Sequence, residues 1–530
     1  MSADAGIDVL VVGAGPTGLM LANQLARRGV RVAIIDRHGG PAQQTRAIAV
    51  HARTLEIFAW LGVAEPAIAL GRKGDGVNLW MRGKRVARLP FGDIGRGQSR
   101  FPYVLMLGQD DNEHIVGARL REQGVDVWWS TELVAFAQRD RGVVATLRRS
   151  DGTSATMTAS WLAGCDGAKS AVRELSRIGF PGAPYEQVFF VADTVATGAM
   201  VPDELNVYLS EGGFHLFFPM RGTDRWRVIG ILPAALTGRD DLAFDEVVPH
   251  IRREAGADLA FAQCLWFSTY RIHHRCAERF RDRRAFLLGD AAHVHSPAGG
   301  QGMNTGLQDA FNLAWKLASV IVDGADDTLL DTYAEERMPV AHRLLRTTDR
   351  AFMLAVSGSP LARVARARVV ARVAAFALRF SFVRQFAFRT VSQIGIGYPD
   401  SRLSRKHGRL AGGAPHAGDR FPWLEVRERE GAPPKDFYAR LDDTRFNFVA
   451  IGQPPPTLPP SLDGRVLVHS LAAGANAAEL ARVRLPAPSA WLLRPDVHVG
   501  LVGVRLDARA VTEYLVRWRL VPEAASGLHS

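Results

Sequence analysis

The start of the chain alternates strand-like and helix-like patterns of apolar residues. Ile7 to Val12 is a nearly continuous apolar run, which is typical of a strand buried on both faces. The next segment has the apolar spacing of a helix, with Leu21 and Leu25 on one side, and it ends near Arg28. A second short strand, Arg31 to Ile35, follows. This order predicts a strand–helix–strand unit with parallel strands.

A glycine-rich segment stands between the first predicted strand and the helix. Gly13, Gly15 and Gly18 have the spacing GxGxxG. Glycines in this setting let the backbone approach a pyrophosphate, whose charge the N–H groups at the helix start stabilise. Asp36 ends the second strand and is the acid expected to hold ribose hydroxyls. The unit predicts dinucleotide binding, and by itself it leaves FAD and NAD as alternatives.

Two later motifs follow predicted strands of their own. The pair Asp166–Gly167 opens the sequence DGxxSxVR, and the pair Gly289–Asp290 follows the apolar run Ala285 to Leu288. Further glycines come after the second pair, and a helix is predicted from about Met303. Because the start of a helix carries positive charge, it would stabilise negative charge on a group bound in this loop.

At these three motifs, in this order, the sequence resembles the family of FAD-dependent aromatic hydroxylases. The phenol hydroxylases of chlorophenol and hydroxyphenylpropionate breakdown look most similar, and the run Tyr270 to Arg275 is similar to the chlorophenol branch. The resemblance extends from about residue 5 to 345 and more loosely beyond. It implies FAD as the cofactor, NADPH or NADH as a transient co-substrate, and oxygen transfer from a flavin C4a-hydroperoxide to an electron-rich ring.

The resemblance also implies where the cofactor is bound. The first motif and Asp36 would hold the ADP part of FAD. Asp166 and Gly167 would lie near the diphosphate and the nicotinamide, and Asp290 would hold the ribityl chain. A surface or capping role is the alternative for two of the loop residues, Arg46 and Gln109. The other expected cofactor positions lie in loops or at the third motif: Arg37, Arg46, Gln109, Gly300, Gly302, Met303 and Asn304.

The pattern of residues in the middle of the chain predicts short strands separated by turns. Leu205 to Leu209, Phe214 to Pro219 and Trp226 to Ile231 predict an antiparallel sheet. In the family this sheet covers the flavin and forms most of the substrate pocket. Aromatic residues of the sheet are candidates for the pocket lining, with a core position as the alternative: Phe189, Phe190, Phe214, Phe217 and Phe218.

Hydroxylation of a phenol is helped by removal of its proton, for which a histidine or tyrosine close to the substrate is the usual group. The candidates are Tyr270, His273, His215 and Tyr208, and for each of them a structural role is the alternative. Pro297 is expected to present its carbonyl beside the substrate. No motif geometry selects one of these residues.

The C-terminal part divides into a helical segment and a second series of strands. The arginines of Ala351 to Phe388 do not gather on one helical face, so we expect this segment to pack against the FAD domain or a second subunit rather than a membrane surface. Beyond Pro399, predicted strands and a final helix resemble the thioredoxin-like tail of the larger aromatic hydroxylases. This tail contains no cysteine, which excludes thiol redox activity there. The predicted elements are Phe446 to Ile451, Arg465 to Leu471, Ala490 to Arg494, Val497 to Val502 and a helix from Ala508 to Arg519.

Composition narrows the possible partners and compartment. The net charge of +11 comes mostly from dispersed arginines, which suits an anionic dinucleotide or substrate, or a solvated basic surface, better than nucleic acid. Cys165, Cys264 and Cys276 show neither CxxC nor metal-ligand spacing, so we expect no disulfide and no metal. No signal peptide or long apolar run is visible, which predicts a cytoplasmic protein without a membrane span.

Together these features predict an α/β protein with a Rossmann-type FAD-binding domain, an inserted antiparallel β-sheet substrate domain and a C-terminal thioredoxin-like domain. The expected bounds are 1–180 and 275–397 for the FAD-binding domain, 181–274 for the sheet and 398–530 for the tail. The predicted activity is FAD- and NAD(P)H-dependent hydroxylation of a small phenolic substrate with dioxygen, by a homodimer. The alternatives are hydroxylation of a polycyclic or polyketide metabolite, and a reductase or binding protein that holds FAD without oxygenating.

Overall fold

The fold is taken from a computed structural model of the chain. It describes residues 6–42, 47–210, 212–239, 241–295, 298–356, 376–377, 379–408, 410 and 412–521. Two predicted site residues, Arg46 and Pro297, lie outside these ranges. In the part of the chain so described, the search for a helix of sufficient length and apolar character to cross a bilayer found none.

The first sheet is mixed, and a parallel core lies at its centre. Ile7–Val12 lies between Ser154–Gly164 and Val32–Ile35 and pairs in parallel with both, so that its apolar side chains are buried on both faces. The predicted strand–helix–strand unit is therefore present. The other strands of this sheet are Val127–Trp128, Thr131–Arg139, Gly142–Arg149, Arg281–Asp282 and Ala285–Leu287.

The helix after the first strand, Pro16–Ala26, packs between Gln109–Glu122 and the long helix Gly302–Val322, which we call the central helix. The central helix is buried from Asn304 to Ser319. The other α-helices are Ala52–Leu61, Ala64–Leu70, Phe91–Gly95, Ala171–Leu175, Phe244–Ala255, Asp331–Val356, Ser381–Val391, Ala477–Arg482 and Ala508–Val516. Short 3-10 turns occur at Ala234–Leu236, Gly289–Ala291, Ala298–Gly300, Asp327–Leu330, Tyr438–Arg440, Pro460–Leu462 and Gly474–Asn476.

The second sheet contains the strands predicted for the middle of the chain. Leu205–Leu209 and Phe214–Pro219 have the predicted bounds and pair antiparallel. The sheet also takes in Gly76–Met81, which pairs in parallel with Leu205–Leu209 and precedes the segment assigned to this sheet from the sequence. The other strands are Lys84–Pro90, Gly182–Gly198, Arg225–Ile231, Leu259–Cys276 and His293–Val294.

The two faces of the second sheet have different neighbours because side chains alternate along each strand. Val191, Phe218 and Ile229 belong to the same core as the first sheet. Phe190 and Phe217 point the other way and pack beneath helix Phe244–Ala255. We call these the flavin-side face and the helix-side face.

A third sheet follows in the C-terminal part. Phe446–Ile451 lies between Val466–Leu471, to which it is parallel, and the central strand Ser489–Leu493, to which it is antiparallel. Val499–Gly503 and Arg405–His407 complete it. Two minor sheets pair Glu425–Val426 with Lys435–Asp436, and Val104–Met106 with Ala49–Val50 and Arg72–Gly74.

A buried charge cluster joins the central helix to the C-terminal part. Glu336, on helix Asp331–Val356, accepts hydrogen bonds from Lys316 Nζ at 2.8 Å and from Arg494 Nη2 at 3.0 Å. Arg494 also forms an ion pair with Asp496. The side chains of Lys316, Glu336 and Arg494 are 0% exposed. The third sheet is therefore held to the central helix by charges that water does not reach.

The protonation states of this cluster follow from its pairing. Burial alone raises the pKa of the Glu336 carboxyl, but the charges of Arg494 and Lys316 outweigh burial and lower it to about 2. Burial lowers the pKa of Lys316 to about 8, against the opposing effect of Glu336. Both groups are therefore charged at neutral pH, and each depends on the other for compensation.

Replacement of Glu336 by Gln should strongly destabilise the fold. E336Q leaves Lys316 and Arg494 without their shared carboxylate, which for a buried pair costs about 3–5 kcal/mol. The neighbouring variant E335Q is the control, because Glu335 pairs with Arg402 at the partly exposed surface and its loss should cost about 0.5 kcal/mol or less. Urea unfolding of both variants measures the difference, and equal midpoints would contradict the prediction.

Candidate active site

The first glycine motif brings strand, helix and second motif into contact. Gly13 has φ +102°, and a Cβ there would lie 2.4 Å from the carbonyl oxygen of Cys165. A Cβ at Gly18 would lie 1.9 Å from the carbonyl oxygen of Gly13. Glycine is needed at these two positions because the backbone of the loop packs directly against neighbouring backbone, which leaves no space for a side chain. Near Gly15 there is space, since the nearest described atom to a Cβ there is an oxygen of Glu113 at 4.0 Å.

The acid after the second strand points back to this loop. Asp36 accepts a hydrogen bond from the backbone N–H of Ala14 at 2.7 Å and from that of His38 at 2.8 Å. Its carboxylate therefore lies beside the glycine motif, at the carboxyl end of the parallel strands, where ligands of such sheets bind. Arg37 is exposed next to it.

Gln109 holds the loop that follows the second strand. Its backbone N–H donates to the carbonyl of Ala47 at 3.0 Å, and its amide Nε2 donates to Glu113 Oε1 at 2.8 Å. The other oxygen of Glu113 accepts from the N–H of Ala42 at 2.8 Å. Glu113, which the sequence analysis did not single out, thus holds the loop at Ala42, while Gln109 holds it at Ala47.

The second motif is built around its aspartate and its arginine. The carboxylate of Asp166 accepts from the Ser170 hydroxyl at 2.6 Å and from the N–H of Val172 at 3.1 Å, at the start of helix Ala171–Leu175. Arg173 donates to the carbonyl of Ala168 at 2.8 Å and to that of Ala291 at 2.9 Å. The arginine of DGxxSxVR therefore connects the second motif to the third.

The third motif is held from behind by a buried aspartate. Asp309, on the central helix, accepts from the N–H of Gly289 at 3.1 Å, from His293 at 2.7 Å and from Arg337 Nε at 2.6 Å. Burial raises the pKa of Asp309, but the charges of Arg337 and His293 outweigh it and keep the carboxyl below its usual range. The ionised Asp309 thus fixes the residues on both sides of Asp290, which itself is exposed at the crevice.

Asn304 and His51 fix the glycine loop before the central helix. The amide nitrogen of Asn304 donates to the carbonyls of Ala49 and Gly300, at 2.8 and 2.9 Å, and its oxygen accepts from the N–H of His51 and the hydroxyl of Thr54. Burial lowers the pKa of His51 to about 4, so its neutral ring donates to the carbonyl of Gly299 at 2.9 Å. The side chain of Asn304 therefore holds the loop, while Gly302 and Met303 form the helix start behind it.

The residues at this crevice fit an adenine dinucleotide with a flavin. No described side chain caps Gly15 at the start of helix Pro16–Ala26, so the first N–H groups remain for a diphosphate. No described atom would lie within 4 Å of a Cβ at Gly167, which leaves room for close approach to the backbone. The carboxylates of Asp36 and Asp290 are acceptors of the kind that would hold sugar hydroxyls. These features define a dinucleotide-binding protein of the α/β class.

The second sheet separates the candidates for substrate activation. Tyr270 lies on the flavin-side face, with its ring 6.2 Å from that of Phe189. His215 lies on the helix-side face, and burial lowers its pKa to about 3. Tyr208 lies on that face too, where its hydroxyl donates to the carbonyl of Ala199. His273 is three residues from Tyr270 along one strand, which puts the two side chains on opposite faces.

The phenylalanine candidates divide in the same way. Phe189, Phe214 and Phe218 lie on the flavin-side face, whereas Phe190 and Phe217 pack under the helix as core residues. The alternation of the strands explains the division. From sequence, the strands were visible but the face that each residue occupies was not.

Comparisons with known proteins agree with this geometry. Residues 6–348 match the family described as FAD binding domain. The chain is 34% identical to 6-methylpretetramide 4-monooxygenase of Streptomyces rimosus, over 98% of this chain and 94% of the relative. It is 32% identical to pentachlorophenol 4-monooxygenase of Sphingobium chlorophenolicum, over 95% and 89%. The solved structure of aklavinone-11 hydroxylase with FAD and aklavinone has a TM-score of 0.73 at 26% identity, covering 98% of this chain and 100% of that one.

The chain belongs to the family of FAD-dependent aromatic hydroxylases. It is a monooxygenase with FAD as its cofactor, and NAD(P)H and dioxygen are the co-substrates typical of the family. The resemblance seen in the three sequence motifs is thereby confirmed.

Loss of the Asp309 charge should weaken FAD binding. D309N keeps the size of the side chain but leaves Arg337 unpaired and disturbs both ends of the Gly289–His293 turn. Since a hydrogen bond to a charged group contributes about 1.5–3 kcal/mol, we expect the FAD dissociation constant to rise about 10- to 100-fold. Flavin fluorescence titration measures it.

The control is D323N at the other end of the central helix, where Asp323 pairs with the partly exposed Arg465. Its FAD affinity should stay within about twofold of the parent, since a surface ion pair contributes little. An unchanged affinity of D309N would show that the third motif does not depend on this carboxylate.

Proposed function

We propose that this enzyme hydroxylates a phenolic ring of a polycyclic, polyketide-type compound. The observation that carries the proposal is the aromatic cluster of Phe189, Phe214 and Tyr270 on the flavin-side face of the second sheet. The relation to 6-methylpretetramide 4-monooxygenase, which spans nearly the whole of both chains, supports it. A small phenol is the second candidate, supported by the relation to the pentachlorophenol enzyme.

The side chains on the flavin-side face are mainly apolar, with few polar groups among them. Phe189 and Phe214 lie 6.3 Å apart with nearly parallel rings, next to Tyr270. Arg227 forms a two-pronged ion pair with Asp193, with both N–O distances 2.7 Å. Such a surface binds an aromatic ring system and keeps water away from the reacting atoms.

Tyr270 is the residue that we propose to position the phenol oxygen. Burial raises the pKa of its hydroxyl to about 12, with the charge of Arg227 acting weakly in the other direction. At neutral pH the hydroxyl is therefore protonated and acts as a donor, not as a base. A hydrogen bond from Tyr270 to the substrate oxygen stabilises the phenolate, which makes the ring electron-rich.

The cofactor residues have two kinds of role in this proposal. When bound, FAD supplies the oxygen-transfer chemistry. Asp36 and the first helix start bind its ADP part, and Asp166, Gly167 and Asp290 line the rest of the crevice. Other residues hold these groups in place rather than touching the cofactor: Gln109, Glu113, Asn304, His51, Arg173 and Asp309.

The division into domains is also proposed. Residues 1–180 and 275–397 form the FAD-binding domain, with the second sheet inserted between them and the strands of 76–90 added to that sheet. In the C-terminal part, a parallel pair of strands next to an antiparallel hairpin and a final helix, Ala508–Val516, support a thioredoxin-like fold. The homodimer and the cytoplasmic location stay predictions.

A substrate panel with labelled dioxygen tests the reaction. The FAD-loaded enzyme should consume NAD(P)H faster with polycyclic phenols than with small phenols, by about tenfold or more in kcat/KM, because the larger ring system fills more of the apolar face. The product should carry one labelled oxygen atom by mass spectrometry. Faster turnover of small phenols would favour the second candidate, whereas hydrogen peroxide as the sole product with every compound would contradict both.

Substitution of Tyr270 tests the positioning role. In Y270F the phenolate loses a hydrogen bond worth about 1.5–3 kcal/mol, so the pKa of the bound phenol rises and the pH–rate profile moves about 1–2 units toward higher pH. Y208F is the matched control on the helix-side face and should leave the profile unshifted. If Y270F lowers kcat without moving the pH–rate profile, the role of Tyr270 is limited to packing.

A further inference from the structure

An aromatic surface lies on helix Ser381–Val391 and the residues just before it. Phe376, Phe380, Phe382 and Phe386 are 59, 45, 69 and 71% exposed, and we call them the aromatic patch. The other large apolar side chains exposed in the described part of the chain are aliphatic: Val86, Leu175, Leu265, Val322, Val468 and Val504. The patch is therefore a concentration of exposed rings, not scattered surface residues.

The helix is held to the protein by a different side chain. Phe388 is 1% exposed and packs 6.4 Å from the ring of Phe91. It enters a notch that requires Gly95, since a Cβ there would lie 2.6 Å from Phe388 Cζ. Phe382 and Phe386 are one helical turn apart and lie on the outer side. Within the described residues, the fold thus leaves the patch exposed and uses Phe388 for packing.

Three of the four rings of the patch are in contact with one another. Phe376 and Phe380 lie 5.4 Å apart, and Phe380 and Phe382 lie 5.9 Å apart, between ring centres. A contiguous apolar surface of this kind marks a contact with something outside the chain.

The stretch of sequence that contains the patch carries charge of one sign. The 50 residues from Arg350 to Pro399 contain eight arginines and neither aspartate nor glutamate. Of the described arginines in this stretch, Arg379 and Arg389 are exposed, and Asp419 is an acidic neighbour of Arg389. Two copies of the chain meeting here would bring these arginines together, whereas an anionic surface neutralises them.

The helix that carries the patch is connected to the central helix through Gln393. The helix ends next to Gln393, whose amide nitrogen donates to the Thr305 hydroxyl at 3.0 Å and whose oxygen accepts from Gln308 at 2.6 Å. Both partners belong to the central helix, close to its start at the third motif.

We propose that the aromatic patch docks on an anionic lipid bilayer. The phenylalanine rings enter the boundary between head groups and acyl chains, and the arginines contact the lipid phosphates. This differs from the expectation drawn from the arginine pattern, because the exposed face is defined by the phenylalanines rather than by the arginines. Docking goes beyond the proposed reaction and does not rest on it.

Flotation of the FAD-loaded protein with lipid vesicles tests docking without any turnover. We expect binding to vesicles that contain phosphatidylglycerol, weaker binding to pure phosphatidylcholine, and release by salt. F382S/F386S should bind these vesicles at least about tenfold more weakly than the parent, with unchanged FAD content. The matched control V468S/V504S removes two exposed aliphatic side chains from the third-sheet region and should bind like the parent.

Three outcomes would overturn docking. The first is that the parent protein does not bind phosphatidylglycerol vesicles. The second is that F382S/F386S binds them as well as the parent does. The third is that the parent is a dimer, that F382S/F386S is a monomer, and that neither protein binds vesicles. The last result would assign the patch to a second copy of the chain. Because binding is measured without NAD(P)H or substrate, none of these results bears on the hydroxylation proposal.

Discussion

The geometry of the flavin crevice depends on one buried carboxylate. Asp309 accepts hydrogen bonds from a backbone N–H, a histidine and an arginine, and together these determine the path of the Gly289–His293 turn. A buried charge is costly unless it is paired, and here Arg337 pairs it at 2.6 Å. The same pairing that compensates for desolvation also places Asp290 at the crevice, so stability and site geometry have a common cause.

Behind Asp309, polar side chains continue along the central helix. Asn304, Gln308, Asn312 and Lys316 are spaced by four residues and are nearly or fully buried. On an isolated helix this spacing would make a solvent face. Here Glu336 of helix Asp331–Val356 supplies the partner of Asn312 and Lys316. Asn304 bonds instead to the glycine loop, and Gln308 bonds to Gln393. The C-terminal part is thus an integral support of the flavin loops, and a rigid support of this kind is what a catalytic geometry requires.

The second sheet shows how one element can serve two purposes. Side chains that alternate along each strand go either to the flavin side, where Tyr270 and Phe189 lie, or to a closed core beneath helix Phe244–Ala255. His215 belongs to that core and has no access to the crevice. On the outer surface, the aromatic patch is connected through Gln393 to the central helix, so the proposed lipid contact and the crevice share one supporting element.

The sequence by itself determined the local elements and the chemistry of the backbone loops. The strand Ile7–Val12, the three glycine motifs and Asp36 could be predicted because apolar runs and glycine spacing are properties of neighbouring residues. Strands such as Phe446–Ile451 had the predicted bounds for the same reason. Only the tertiary structure decided the partners of Asp309, Glu336 and His51, and the face on which Tyr270 and His215 lie. These depend on contacts between residues that are far apart in the chain, and no local pattern records such contacts.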